Sequence, residues 1–89
     1  MVHRPERGRS EVQIDGVTVG VARYERRGPV TDIEHVIVEP AFEGHGLGSL
    51  LVQAVVERAR ADGDQVVASC SFAAAWVRRH GDDEDGLAP

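Results

Sequence analysis

Six consecutive residues, Gly44-His45-Gly46-Leu47-Gly48-Ser49, place three glycines at alternate positions directly before a leucine-rich run. A backbone without side chains at alternate residues can turn its N–H groups to one side. The first turn of a helix that follows adds unpaired N–H donors and the positive end of the helix dipole. This combination suits an anion, and a phosphate fits it. Two specific phosphate motifs do not match. A Walker loop ends in Gly-Lys-Ser/Thr, and the chain contains no lysine. A dinucleotide fingerprint follows the first strand of a parallel βαβ array, whereas only one strand pattern comes after this loop. A tight strand-to-helix turn that needs glycine only for its dihedral angles is the other reading, and the spacing does not choose between the two.

The inventory of groups for nucleophilic or acid–base chemistry is short. Cys70, the only cysteine, follows a short β-branched run and stands one residue before Ser71, the expected cap of a helix. There the helix dipole favours a thiolate; a buried, inert thiol is the alternative. His35 lies inside a β-branched run and reads as a base or as a hydrogen-bonded, half-buried residue. His45 is a weak cation at a phosphate or a solvent-facing filler. His3 and His80 lie near the ends, and four histidines with one cysteine at these spacings match no zinc pattern, so no metal is expected.

A small scaffold must hold these groups. With 89 residues, 42% hydrophobic and 28% charged, the chain has the make-up of one folded domain. Residues 1–9 mix Arg4, Arg7 and Arg9 with Pro5 and Gly8 and read as a flexible arm. Val12 and Ile14 alternate with polar residues, Asp15-Gly16 follows, and Val17, Val19 and Val21 alternate again, which is a hairpin signal. Arg27-Gly28-Pro29 breaks the pattern before a third run from Val30 to Val38, which Pro40 ends. Leu47, Leu50, Leu51, Ala54, Val55 and Ala59 then fall on one face of an expected helix stopped by Gly63. Gln65 to Ser69 reads as a strand. In a last helix closed by Gly81, Phe72, Ala75 and Trp76 share a face that should pack on the sheet.

The order β-β-β-α-β-α gives an α/β (α+β) fold: an antiparallel meander, a right-handed βαβ unit that makes the sheet mixed, and a C-terminal helix, with helices covering the apolar faces. His35 and Cys70 then lie within a few residues of one another. Residues 10–81 form the domain, and residues 82–89 an acidic, solvated tail. Asp82, Asp83, Glu84 and Asp85 account for most of the net charge of −5; the rest of the chain sets ten arginines against eleven acids. No basic excess points to nucleic acid or to an anionic membrane, and no apolar run approaches the ~20 residues of a bilayer span. The cytoplasm is the expected compartment.

The stretch from Val36 to Leu51, Val-Ile-Val-Glu-Pro-Ala-Phe-Glu-Gly-His-Gly-Leu-Gly-Ser-Leu-Leu, resembles the acetyl-CoA-binding segment of the GNAT superfamily of N-acetyltransferases. It combines a valine-rich strand, a proline two residues after Val38, the Gly-x-Gly-x-Gly turn and a Leu-Leu helix start. The run from Val67 to His80 looks like the last strand and helix of the minimal, single-domain GNAT group, in which Tyr24 and His35 also find counterparts. The likeness covers roughly residues 10–81. It implies acetyl-CoA as cofactor, with the backbone of Val36, Ile37 and Val38 along the pantetheine arm, and Gly44, His45, Gly46, Leu47, Gly48 and Ser49 around the pyrophosphate. It implies transfer of an acetyl group to an unidentified amine, with Cys70 and His35 as candidate catalytic groups, in a monomer or weak homodimer. A CoA-binding module without turnover is the rival. Four features depart from the family pattern. Glu43 stands where Gln or Arg is usual, no tyrosine lies near the last helix, the walls that enclose the acceptor in larger members are missing, and His80-Gly81 replaces a common His-Pro.

Overall fold

In the computed structural model, which describes residues 1–80, the elements run β1 (Val2–Arg4), β2 (Arg9–Ile14), β3 (Val17–Arg27), β4 (Val30–Val38), α1 (Leu47–Ala61), β5 (Gln65–Ala68) and α2 (Ser71–His80), with single 3-10 turns at Pro5–Arg7 and Pro40–Phe42. The Gly81 helix stop and the acidic segment 82–89 lie outside the described residues. Asp15 and Gly16 take φ of 52° and 78°, as a two-residue turn between right-twisted strands requires. The strands form one sheet in chain order, β1-β2-β3-β4-β5. The first four are antiparallel and β5 is parallel to β4, with α1 as the crossover, so the mixed sheet is as expected.

Three features differ from the sequence reading. Residues 1–9, expected as a flexible arm, contain β1, which pairs with β2 from Val2↔Glu11 to Arg4↔Arg9. A single apolar residue in Val2–Arg4 gives no strand pattern. Backbone pairing and side-chain bonds such as His3 Nδ1 to Ser10 Oγ at 2.8 Å hold it instead. The helices also turn different faces inward. In α1 the buried set is Leu51, Val52, Val55, Val56 and Ala59, with Leu50 49% exposed; in α2 it is Ala73, Trp76 and Val77, with Phe72 42% exposed.

Third, both helices cover the same face of the sheet. Their buried residues join Ala22, Ile33 and Val66 in one core, and the two helices pack side by side. The opposite face carries no helix among the described residues and leaves Ile37 63% exposed. Beneath α1, the buried Asp64 accepts hydrogen bonds from Arg26 (2.9 Å) and Thr31 (2.8 Å), which pins the start of β5 to β3 and β4. The Arg26 hydrogen bond holds the Asp64 carboxyl below the usual carboxylate range, against the opposing effect of burial.

Candidate functional site

The site begins with an irregularity in β4. Arg23 pairs with His35 and Tyr24 with Ile33, so Glu34 is an extra residue on β4. Such a bulge shifts by one the alternation of backbone groups along the strand. Beyond it, the Glu39 N–H donates to Val19 O on β3 at 2.8 Å. Residues of the opposite parity, Val36 and Val38, therefore turn their N–H and C=O groups away from β3, to the side of β5. But β5 is no longer there. Its parallel pairing covers only Val30 to Ile33, and the N–H groups of Ser69 and Cys70 both donate to Ile33 O at 3.1 Å as the chain leaves the sheet. The departure is fixed by Asp32, whose carboxylate accepts the Ser69 N–H (2.9 Å) and Ser69 Oγ (2.8 Å). No described strand pairs with the second half of β4 on this side. That leaves an edge able to bind an extended, amide-bearing molecule.

The side chains of Val36 and Val38 line a cleft of about 390 Å³ that continues past Phe42 and Glu43 to Gly44, Gly46 and the first turn of α1, with Phe72 as the facing wall. Gly44 and Gly46 have φ of 82° and 76°, a left-handed conformation that favours glycine. Gly46 is the N-cap of α1 and no side chain caps it, so the N–H groups of Leu47, Gly48 and Ser49 have no partner within the helix. A Cβ on Gly48 would lie 3.0 Å from the Phe72 ring. The third glycine thus serves the close approach of α2. Among the described residues, Glu43 is the only charged one lining the cleft.

Of the residues singled out from sequence, Val36, Val38, Gly44, Gly46, Leu47, Gly48 and Ser49 line this cleft, whereas His45 and Ile37 do not. Cys70 is half-buried against the core. Its carbonyl accepts the Ala74 N–H at 2.8 Å, so Cys70 itself occupies the N-cap and Ser71 is the first helical residue. His35 is exposed and faces away from the helices, one residue from the inward Val36. His35 and Cys70 each stand two residues past the last β4–β5 pair, Ile33↔Ala68. They are directed to opposite faces. Phe42 and Phe72 were not anticipated as cleft residues, and Phe72 had been expected to pack on the sheet. The inward set Ala73, Trp76 and Val77 is a complete i, i+3, i+4 stripe that leaves Phe72 outside it, and that pattern was readable. A larger groove of about 580 Å³ runs between β1 and α1 past Met1, His3 and Leu50. Among the described residues it has no glycine and no helix N-terminus, so the smaller cleft is the better chemical candidate. Among the described residues, no helix is long and apolar enough to cross a membrane.

The family model described as GCN5-related N-acetyl-transferase matches residues 9–86. No curated protein sequence matches the chain. Among solved structures, a GCN5-like protein from Staphylococcus aureus is 25% identical with a TM-score of 0.72, over 91% of this chain and 81% of that one. A Mycobacterium tuberculosis protein crystallised with CoA is 28% identical with a TM-score of 0.66, over 80% of this chain and 45% of that one. An N-acetylglutamate synthase from Neisseria gonorrhoeae, also complexed with coenzyme A, shares the fold at 21% identity and a TM-score of 0.69, over 82% of this chain and 18% of that one. The chain thus spans most of the first of these proteins but less than half of the other two.

Proposed function

Because the chain belongs to the GCN5-related N-acetyltransferase family, we propose that it transfers an acetyl group from acetyl-CoA to an amine, with the cleft between β4 and α1 as its acetyl-CoA site. The observation that carries this reading is the open edge of β4: the phase shift at Glu34 turns the backbone groups of Val36 and Val38 to the side that β5 has left, along an edge that leads into the glycine loop. When bound, acetyl-CoA supplies an acetyl thioester. The backbone of Val36 and Val38 offers donors and acceptors to the amides of a pantetheine, and the free N–H groups of Leu47, Gly48 and Ser49 suit a pyrophosphate. Cys70 and His35, on opposite faces, suit direct transfer. His35 accepts a proton from the attacking nitrogen on the open face, and Cys70 gives its proton to the departing sulfur on the helix side. The Mycobacterium tuberculosis protein, similar over 80% of this chain, is complexed with CoA, which supports CoA as the ligand.

CoA at 100 times its dissociation constant should stabilise the fold by ~2.7 kcal/mol, visible as a raised melting temperature. A folded sample with no shift at millimolar CoA would reject the site. Release of free thiol from acetyl-CoA with a panel of amines then separates turnover from binding alone. The lack of an acceptor-enclosing wall among the described residues favours the second reading, a CoA-binding module without turnover, whereas Glu43 bears on affinity in both, since a carboxylate in the cleft opposes a pyrophosphate. Glu43→Arg should tighten CoA binding by ~1 kcal/mol at low salt and lose that gain as salt screens it. Equal affinities at low ionic strength would mean that the Glu43 carboxylate points to solvent.

A further inference from the structure

The open face of the sheet carries a row of cationic residues set by strand register. Arg4 pairs with Arg9, Arg9 with Arg23, and Arg23 with His35. The four residues therefore form a line across β1, β2, β3 and β4, with neighbours about 5 Å apart, that ends at the histidine beside the vacant half of β4. Like charges directly opposite each other on one face destabilise a sheet, so the row needs compensation. Part of it is present. Glu11, 5% exposed on the same face, lies 3.1 Å from Arg4 Nε and 2.9 Å from Arg9 Nε, although Arg9 Nε makes no hydrogen bond. Arg23 is exposed and has no acidic partner among the described residues. Glu11 thus serves two of the three arginines, and the third, Arg23, stands next to His35.

We infer that this row is the acceptor-binding surface, and that the acceptor is a small amine bearing a carboxylate, held with its nitrogen at His35 and its carboxylate on Arg23. The inference rests on the acetyl-transfer reading above and adds the substrate class. The geometry sets the size. A carboxylate about 5 Å from the nitrogen spans neighbouring strands, the reach of an ω-amino acid such as 4-aminobutyrate. A polyamine such as spermidine has the wrong charge for the row. No acceptor-enclosing wall stands on this face among the described residues, so charge in place of shape selects the acceptor.

The test pairs kinetics with binding. Wild type should acetylate 4-aminobutyrate in preference to spermidine. Arg23→Gln should raise KM for 4-aminobutyrate about tenfold, the loss of one charge-assisted hydrogen bond, with kcat and CoA affinity unchanged. Arg23→Glu should turn the preference towards spermidine. Arg7→Gln, exposed and outside the row, is the control. Binding is read separately from turnover by titrating 4-acetamidobutyrate, the product, into the CoA-loaded protein and following amide shifts by NMR. Shifts in wild type that vanish in Arg23→Gln would support the anion site even where no amine is turned over, a result that sinks the acetyl-transfer reading alone. KM values unmoved by Arg23→Gln, product shifts that persist in that variant, or turnover confined to acidic peptides would each overturn the proposal.

Discussion

Cys70→Ala is expected to lower turnover about 100-fold while CoA affinity stays nearly unchanged. The thiol is half-buried at the N-cap of α2, at the point where β5 leaves β4 and beside the edge assigned to the pantetheine. Substitution by alanine removes one atom from a partly exposed position, so the fold should survive it. A proton donor to the departing sulfur and a covalent nucleophile both predict the loss, and they differ in one measurement. If Cys70 attacks the thioester, wild type incubated with acetyl-CoA and no amine should form acetyl-Cys70 and lose it at the rate of turnover, which peptide mass spectrometry resolves. If it acts as an acid, any acetyl-Cys70 should form and decay more slowly than turnover. We expect the second outcome. Full activity in Cys70→Ala with unchanged stability would remove the thiol from the chemistry altogether.

Leu51→Ala should cost ~3 kcal/mol, a large share of the stability of so small a domain, and lower the melting temperature by roughly 15 °C. Leu51 is fully buried in α1 and reaches under the sheet to Gly20, where an added Cβ would lie 3.1 Å from Leu51 Cδ1. Because α1 also presents the glycine loop, saturating CoA should return ~2.7 kcal/mol and nearly offset the loss. A melting temperature within about 3 °C of wild type would mean that α1 is not the element that closes the core.

Much of this fold could be read from residue order. The hairpin at Asp15-Gly16, the crossover helix and the parallel fourth partner all come from signals local to a few residues: turn chemistry, period two and period 3.6. The features that were missed depend on distant partners. β1 has no hydrophobic period because its pairing is a backbone affair with β2. The inward faces of α1 and α2 were misplaced by about one residue each, because a stripe of apolar residues wider than one face does not say which edge meets the sheet. The bulge at Glu34 did leave a trace. Ile33 and Val36 are both inward, and an interval of three inside a period-two run signals an extra residue. The glycine loop was readable down to single positions, since left-handed dihedrals and close approach act on glycine alone. Which faces His35 and Cys70 would meet was not, because it depends on that same extra residue.

The sheet follows chain order without exception, and this governs the kinetics of folding. Each strand from β2 to β4 can pair with its predecessor across a short connection, so the meander closes at little entropic cost and early. Only β5 must wait for residues 39–64 to be placed, which makes the β4–β5 junction the contact of longest sequence separation in the sheet. That junction ends where the open, cleft-lining half of β4 begins. Ligand held there grips the part of the molecule that closes last and opens first, so its stabilisation should appear mainly as slower unfolding, with the refolding rate hardly changed.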